Sequence, residues 1–263
     1  MPPGSRQQQQ PEMSPKTIII PLPPFDYDPS EVSVVWKHLT SLGHKVVFGT
    51  PDGQVSSPDP LMLTGVGLDL WSPLPLLSSF PLVGLFLRAN GAARSAHAAM
   101  VESLEYKSPS PWSSLEALDG DALFCPGGHK KEGMVPYLES SVLQSLVVAF
   151  FRQDKIVASI CHGSLLVARS IDERTGKSVL FGKKVTGLTW ALEQSAWTMG
   201  RIFRFWDPNV SVVFSLSLSL SLSLVDVLFA CSCFSFSNTA RVAVLSHLPR
   251  APRSSIRLHE CPE

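Results

Sequence analysis

Between Lys155 and Ser170 the chain reads KIVASICHGSLLVARS, a stretch that few folds can accommodate. An apolar run of β character, KIVASI, meets Cys161 and then a helical pattern from His162-Gly163, with no residues left over for a loop. A strand that passes into a helix without a linker turns sharply, so the apex residue is forced toward strained backbone angles. Its side chain is pushed out at the carboxyl edge of a sheet. Small residues must flank such an apex, and Ser159 and Gly163 stand two positions to either side. The sulfur would face the amino end of the following helix, whose free N–H groups and dipole favour an anion, and a thiol placed there tends toward the reactive thiolate. The alternative is a buried, inert cysteine at a strand end, the commoner role for a single Cys, and the local pattern leaves both open.

Upstream, the pattern repeats strand, helix, strand. TIIIPLP (Thr17–Pro23) reads as a strand, and after the turn residues PFDYDP comes a helix with Ser30 near its start and an apolar face at Val32, Val35, Trp36 and Leu39, ended by Gly43. HKVVFGT is a second strand, the order that builds a parallel sheet. Pro51 to Asp69 reads as a long loop, and Pro73 to Leu87, with three prolines and no charge, fits neither strand nor helix. From Arg88 the pattern is helical, and Lys107 to Trp112 is a loop. ALFC (Ala122–Cys125) is a short buried strand running into Pro126-Gly127-Gly128-His129, where a double glycine marks a turn or frees backbone N–H groups for a ligand. A helix over Tyr137–Gln153 leads to KIVASI. After the next helix, DERTG turns, KSVLFGKKVTGL reads as a strand pair or β-arm, and Ala191–Gly200 is helical with Glu193 in its first turn. Four strand–helix units describe an open α/β sheet, which binds ligands beyond the carboxyl ends of its strands.

The totals exclude several classes. Lys+Arg and Asp+Glu are both 22, so bulk charge favours neither nucleic acid nor an acidic membrane surface. Cys125, Cys161, Cys231, Cys233 and Cys261 show no paired CxxC spacing, which argues against a zinc module or disulfide scaffold and fits a reducing, cytoplasmic compartment. Residues 1–16 are polar and proline-rich, without a signal-peptide core, and read as a disordered tail before a domain over residues 17–209. Beyond Asn209 come five consecutive Ser-Leu pairs, Ser215 to Leu224, and an Arg/Pro/Ser-rich end. A (TC)n nucleotide repeat encodes alternating Ser and Leu, so the expectation is that residues 210–263 are low-complexity or mis-spliced sequence, and residues 73–86 a smaller non-native insertion. A spliced transcript that still encodes both stretches refutes this. The uncharged run Val210–Val225 is short of the ~20 residues a membrane span needs.

ALFCPGGH, then PYLESSVLQSLVVAFFRQDKIVASICHG, then GKKVTGLTWALEQSAW resemble the ThiJ/PfpI family of the class I glutamine amidotransferase-like superfamily, and YDPSEVSVVWKHLTSLGHKVVFGTPDG resembles its first strand–helix–strand unit. The resemblance spans about residues 16 to 209 and implies a flavodoxin-like three-layer α/β sandwich with a mainly parallel sheet. The elements that complete the family's fold after Asn209 are not recognisable here, so the carboxyl-terminal part of the domain is expected to be missing or replaced, and poor solubility follows. Family members include glyoxalase III type lyases, disputed deglycases, peptidases, isonitrile hydratases and stress chaperones, and many are dimers.

The resemblance assigns roles residue by residue. Cys161 matches the nucleophile, His162 the adjacent base, Glu31 the acid that hydrogen-bonds the sulfur, and Glu193 an acid that orients the histidine. The Gly127-Gly128 backbone and the His162 N–H match the groups that receive an oxyanion. Outside the resemblance, Glu31 and Glu193 read as first-turn carboxylates, His129 as a loop residue and Cys125 as core. With a small-molecule 2-oxoaldehyde, thiolate attack gives a hemithioacetal and then a hydroxy acid; with an amide or ester, the same groups give hydrolysis, and neither route needs a cofactor or metal. The rival reading is a non-catalytic stress or redox protein whose cysteine is reversibly oxidised, or an inactive product.

Overall fold

The structure is a computed structural model that describes residues 14–67, 69, 82–183, 185, 198 and 243–245. Five strands lie parallel: β1 (Thr17–Pro21), β2 (Lys45–Thr50), β3 (Ser110–Pro111), β4 (Ala122–Cys125) and β5 (Ile156–Ser159). Their order is β3-β2-β1-β4-β5, so the chain steps from β1 to β2 on one side and later returns to lay β4 on the other. The carboxyl ends of β1 and β4 therefore flank a switch point, where open α/β sheets leave a crevice.

Two-residue alternation splits the core between the two faces. Ile18 and Ile20 of β1 pack with Val32, Trp36 and Met100, whereas Ile19 between them packs with Leu123, Leu143 and Phe150. The first face is covered by α1 (Pro29–Ser41) and α4 (Gly91–Val101), the second by α6 (Lys131–Leu138), α7 (Ser141–Arg152) and α8 (Gly163–Arg169). This is the three-layer α/β sandwich. Each of these isoleucines is at most 6% exposed, which is worth roughly 2 kcal/mol apiece, and a slip of one residue would exchange the two faces. That pins the register, Thr17 with Lys45 through Pro21 with Gly49, and with it the heights at which the strands end.

Several sequence expectations change. Lys16, assigned to the tail, is tied in, its carbonyl accepting the Lys45 N–H at 2.8 Å. The loop from Pro51 contains a short helix, α2 (Pro60–Thr64), capped by Asp59, and the apolar proline-rich run ends in α3 (Leu82–Leu87). A short helix, α5 (Leu104–Lys107), leads into the loop after Lys107, which carries edge strand β3. Tyr137–Gln153 is not one helix: Ser140 caps α7 by accepting the Leu143 N–H, and Tyr137 belongs to α6. Among the described residues of the β-arm, Lys177–Ser178 is the strand (β7), paired across the DERTG turn with Ile171–Asp172 (β6). Ala243–Leu245 (β8) lies antiparallel beside β5, within the segment expected to stand apart from the domain. Helix 191–200 apart from Thr198, and with it Glu193, the Ser-Leu pairs and most of 73–86 fall outside the described residues.

No single described helix is long and apolar enough to cross a membrane. Among the described residues one pair, α6 and α7, together reaches that composition, bent by 53° at the junction, and the apolar residues of both helices fill the core.

Candidate functional site

The turn between β5 and α8 has the strain that its sequence demands. Cys161 has φ +52°, a conformation that costs a non-glycine residue roughly 1 kcal/mol or more, and its sulfur is exposed beyond the strand end. Gly163 is required for a second reason: a Cβ there would collide with the carbonyl oxygens of Cys125 and Pro126, so only glycine lets α8 start this close to β4. The Ile160 N–H donates to Cys125 O at 3.1 Å, and the hydroxyls of Ser159 and Ser164 meet at 3.0 Å across the turn. The His162 ring comes back over the apex, with Nδ1 3.4 Å from Cys161 Sγ.

Glu31 reaches the same point from α1. Asp28 caps that helix, its Oδ1 accepting the N–H groups of Ser30 (2.7 Å) and Glu31 (3.0 Å), which aims the first-turn carboxylate at the sheet edge. Glu31 Oε2 then accepts the Gly127 N–H at 2.8 Å. A Cβ built on Gly127 would lie 2.8 Å from His162 N, 3.0 Å from Cys161 Cβ and 3.2 Å from Glu31 Oε2, so this glycine is the floor on which all three residues meet. Burial holds the Glu31 carboxyl well above the usual carboxylate range, the negative charge of a Cys161 thiolate adds to this, Asp28 adds less, and the Gly127 bond opposes it. The acid therefore keeps its proton beside the sulfur and can give it up.

Three of the four side chains named from sequence, Cys161, His162 and Glu31, thus converge, while Glu193 lies outside the described residues. Gly127 differs from its expected role: its N–H is engaged by Glu31, so it holds the acid. Cys125 is core, fully buried with its thiol pushed up to about 12 by burial.

Two residues carry more than their sequence reading. His129 sits against His162, ring centroids 6.3 Å apart at 86°, with Nδ1 3.8 Å from Asp28 Oδ2. Asp28 itself was legible as an acid before Pro at a helix start, a capping signal, but nothing in the spacing links it to a histidine a hundred residues away. Beside them, Lys130 Nζ bridges Asp26 (3.1 Å) and Asp59 (3.3 Å), and below lies a buried network in which Tyr27 Oη contacts His97 Nε2 (3.1 Å) and Tyr106 Oη (2.7 Å). Among the described residues no group of three or more His, Cys, Asp or Glu side chains is arranged to hold a metal ion.

Comparison with known proteins bears on the fold and the family. The chain is 30% identical over 77 residues to Glyoxalase 3 of Candida albicans, a match covering 29% of this chain and 32% of that protein. The matched stretch is thus about a third of the relative's length. The structure of glyoxalase III from Candida albicans shares the fold at a TM-score of 0.52 and 16% identity, covering 82% of this chain and 83% of the other. The rapid encystment protein REP24 of Francisella tularensis does so at 0.55 and 14%, covering 84% and 86%. The family model described as ThiJ/PfpI family-like matches residues 22–202, which include Glu31, the Gly127-Gly128 turn and the Cys161-His162 elbow, and the chain belongs to that family.

Proposed function

We propose that this protein is a cytoplasmic cysteine-dependent lyase of the glyoxalase III type, converting a small 2-oxoaldehyde to a 2-hydroxy acid. The observation that carries the reading is the Glu31 carboxyl, kept protonated and fixed by the Gly127 N–H, beside an exposed cysteine at a strained elbow. The likeness to Glyoxalase 3 supports the choice of substrate class.

In this mechanism the Cys161 thiolate adds to the aldehyde carbon of methylglyoxal, and Glu31 protonates the resulting oxygen to give a hemithioacetal. The N–H groups of Gly128 and His162 are assigned to the developing oxyanion, each such donor being worth about 3 kcal/mol in other enzymes. His162 removes the proton from the former aldehyde carbon. The electron pair moves to the neighbouring carbonyl, giving an enediolate; the hydroxyl proton of the first carbon passes to the oxygen of the second, and protonated His162 returns its proton at the second carbon as the first becomes a carbonyl. One carbon has been oxidised by two electrons and the other reduced by two, leaving an enzyme-bound thioester. Water adds to the thioester carbonyl, the carbon–sulfur bond breaks, and lactate leaves with the thiol restored. Glu193 keeps the proposed role of orienting His162, and pairing of two copies is proposed as the working state.

The test is methylglyoxal consumption with lactate formation by the purified chain, beside Cys161→Ala. Turnover that is absent in the unaltered protein, or that survives the substitution, refutes the reading.

A further inference from the structure

The start of α1 and the loop after β4 are joined by Asp28 and His129. The Asp28 N–H donates to Gly127 O at 3.0 Å, and Asp28 Oδ1 is occupied by the first turn of α1. Its second oxygen, Oδ2, faces His129 Nδ1 at 3.8 Å, with the two side chains only 8% and 22% exposed, so water screens the contact weakly. On its other side His129 meets His162 nearly perpendicular, and His162 Nδ1 reaches Cys161 Sγ. Carboxylate, imidazole, imidazole and thiol thus follow one another across the amino ends of α1 and α8.

We propose that Asp28 and His129 are a positioning pair for His162, which hold its ring over Cys161 and share with it the charge that decides whether it can accept a proton. This role rests on Cys161 and His162 being the working pair. Two imidazoles at this separation do not both become charged without cost, so their protonation is one coupled equilibrium. The described ionisable groups facing His129 are Asp28 at the start of α1, Asp59 at the start of α2 and His162 at the start of α8; Lys130, next in sequence, is bound to Asp26 and Asp59. Burial and His162 work against a charge on His129, while Asp28, and less so Asp59, work for it. Asp28 therefore weights the balance toward charge on His129 and so against charge on the His162 ring that faces it, and its removal weights the balance the other way.

The two parts separate by substitution. Asp28→Asn keeps an oxygen to cap α1, and so keeps Glu31 in place, but removes the charge facing His129. His129→Gln removes the second imidazole. The ring protons of His129 and His162 are followed by NMR against pH in the full chain without substrate, so the result does not depend on whether methylglyoxal is turned over. The expected result is a His162 titration in two steps in the unaltered protein and a single step in His129→Gln. In Asp28→Asn the His129 midpoint falls by about one pH unit. The acid limb of the thiol alkylation profile at Cys161 should follow His162 in each variant. A His162 curve unchanged in His129→Gln, or a His129 midpoint unmoved in Asp28→Asn, overturns the proposal; either variant alone decides it, so loss of folding in one leaves the other as the test.

Discussion

Glu31→Gln isolates the proton that the site is built to hold. Glutamine keeps the shape and keeps an oxygen to accept the Gly127 N–H now bonded at 2.8 Å, but it has no proton to release. The folded-state pKa of Glu31 is raised, first by burial and then by Cys161, so the native protein holds a proton that the unfolded chain gives up near pH 4.5. The sign follows from linkage: stability is full below the unfolded value and is lost as pH rises through the folded one. The limiting slope for one proton is about 1.4 kcal/mol per pH unit. Urea unfolding of the unaltered protein and of Glu31→Gln at several values from pH 4 to 8 should give curves that coincide at the acid end and diverge upward, with the variant losing less stability. Because glutamine cannot cycle the proton, methylglyoxal turnover should drop by on the order of 100-fold or more. Parallel stability curves across this range would refute the placement of the proton on Glu31, whatever happens to activity.

Gly163→Ala should destabilise the fold by about 3 kcal/mol in a thermal melt, since the added Cβ meets two backbone oxygens that cannot move aside; a change below 1 kcal/mol would mean the elbow has slack. Iodoacetamide at pH 8 followed by peptide mapping should label Cys161 in the native protein and leave Cys125, whose thiol is buried and pushed up to about 12, untouched until denaturant is added. Equal labelling of both would contradict the burial of β4. Tyr27→Phe removes the hydroxyl partner of His97 beneath the site, while Tyr106 still donates to the Ser56 carbonyl, and should cost about 1–3 kcal/mol, read by urea unfolding; an unchanged midpoint would show that the network is dispensable.

The elbow was readable from sequence because its constraint is local: a β run, a cysteine and a helical run with no residues between admit one backbone solution, and Cys161 at φ +52° adopts it. The strands were readable for the same reason, since alternation and flanking turn residues act over a few positions. Local rules were insufficient where a boundary rests on a single side-chain bond, as with Ser140 between α6 and α7, or where a two-residue strand such as Ser110–Pro111 exists only because a neighbour at Gly49–Thr50 accepts it.

Glu31 as an acid in a first turn was fixed by its own neighbours, but its chemistry was not. Its high pKa comes from the desolvation and negative charge supplied when β1, β4 and β5 end at one height and bring Cys161 to it, with the Gly127 N–H holding it there. The same holds for His129, which in sequence is one more residue after a double glycine and in the fold stands between Asp28 and His162. Backbone shape depends on residues adjacent in the chain, and the sequence by itself determined the elbow, the alternating strands and the place of Cys161 at the apex. Electrostatic environment depends on what is near in space and on how much water is excluded, and only the tertiary structure decided which groups share a proton.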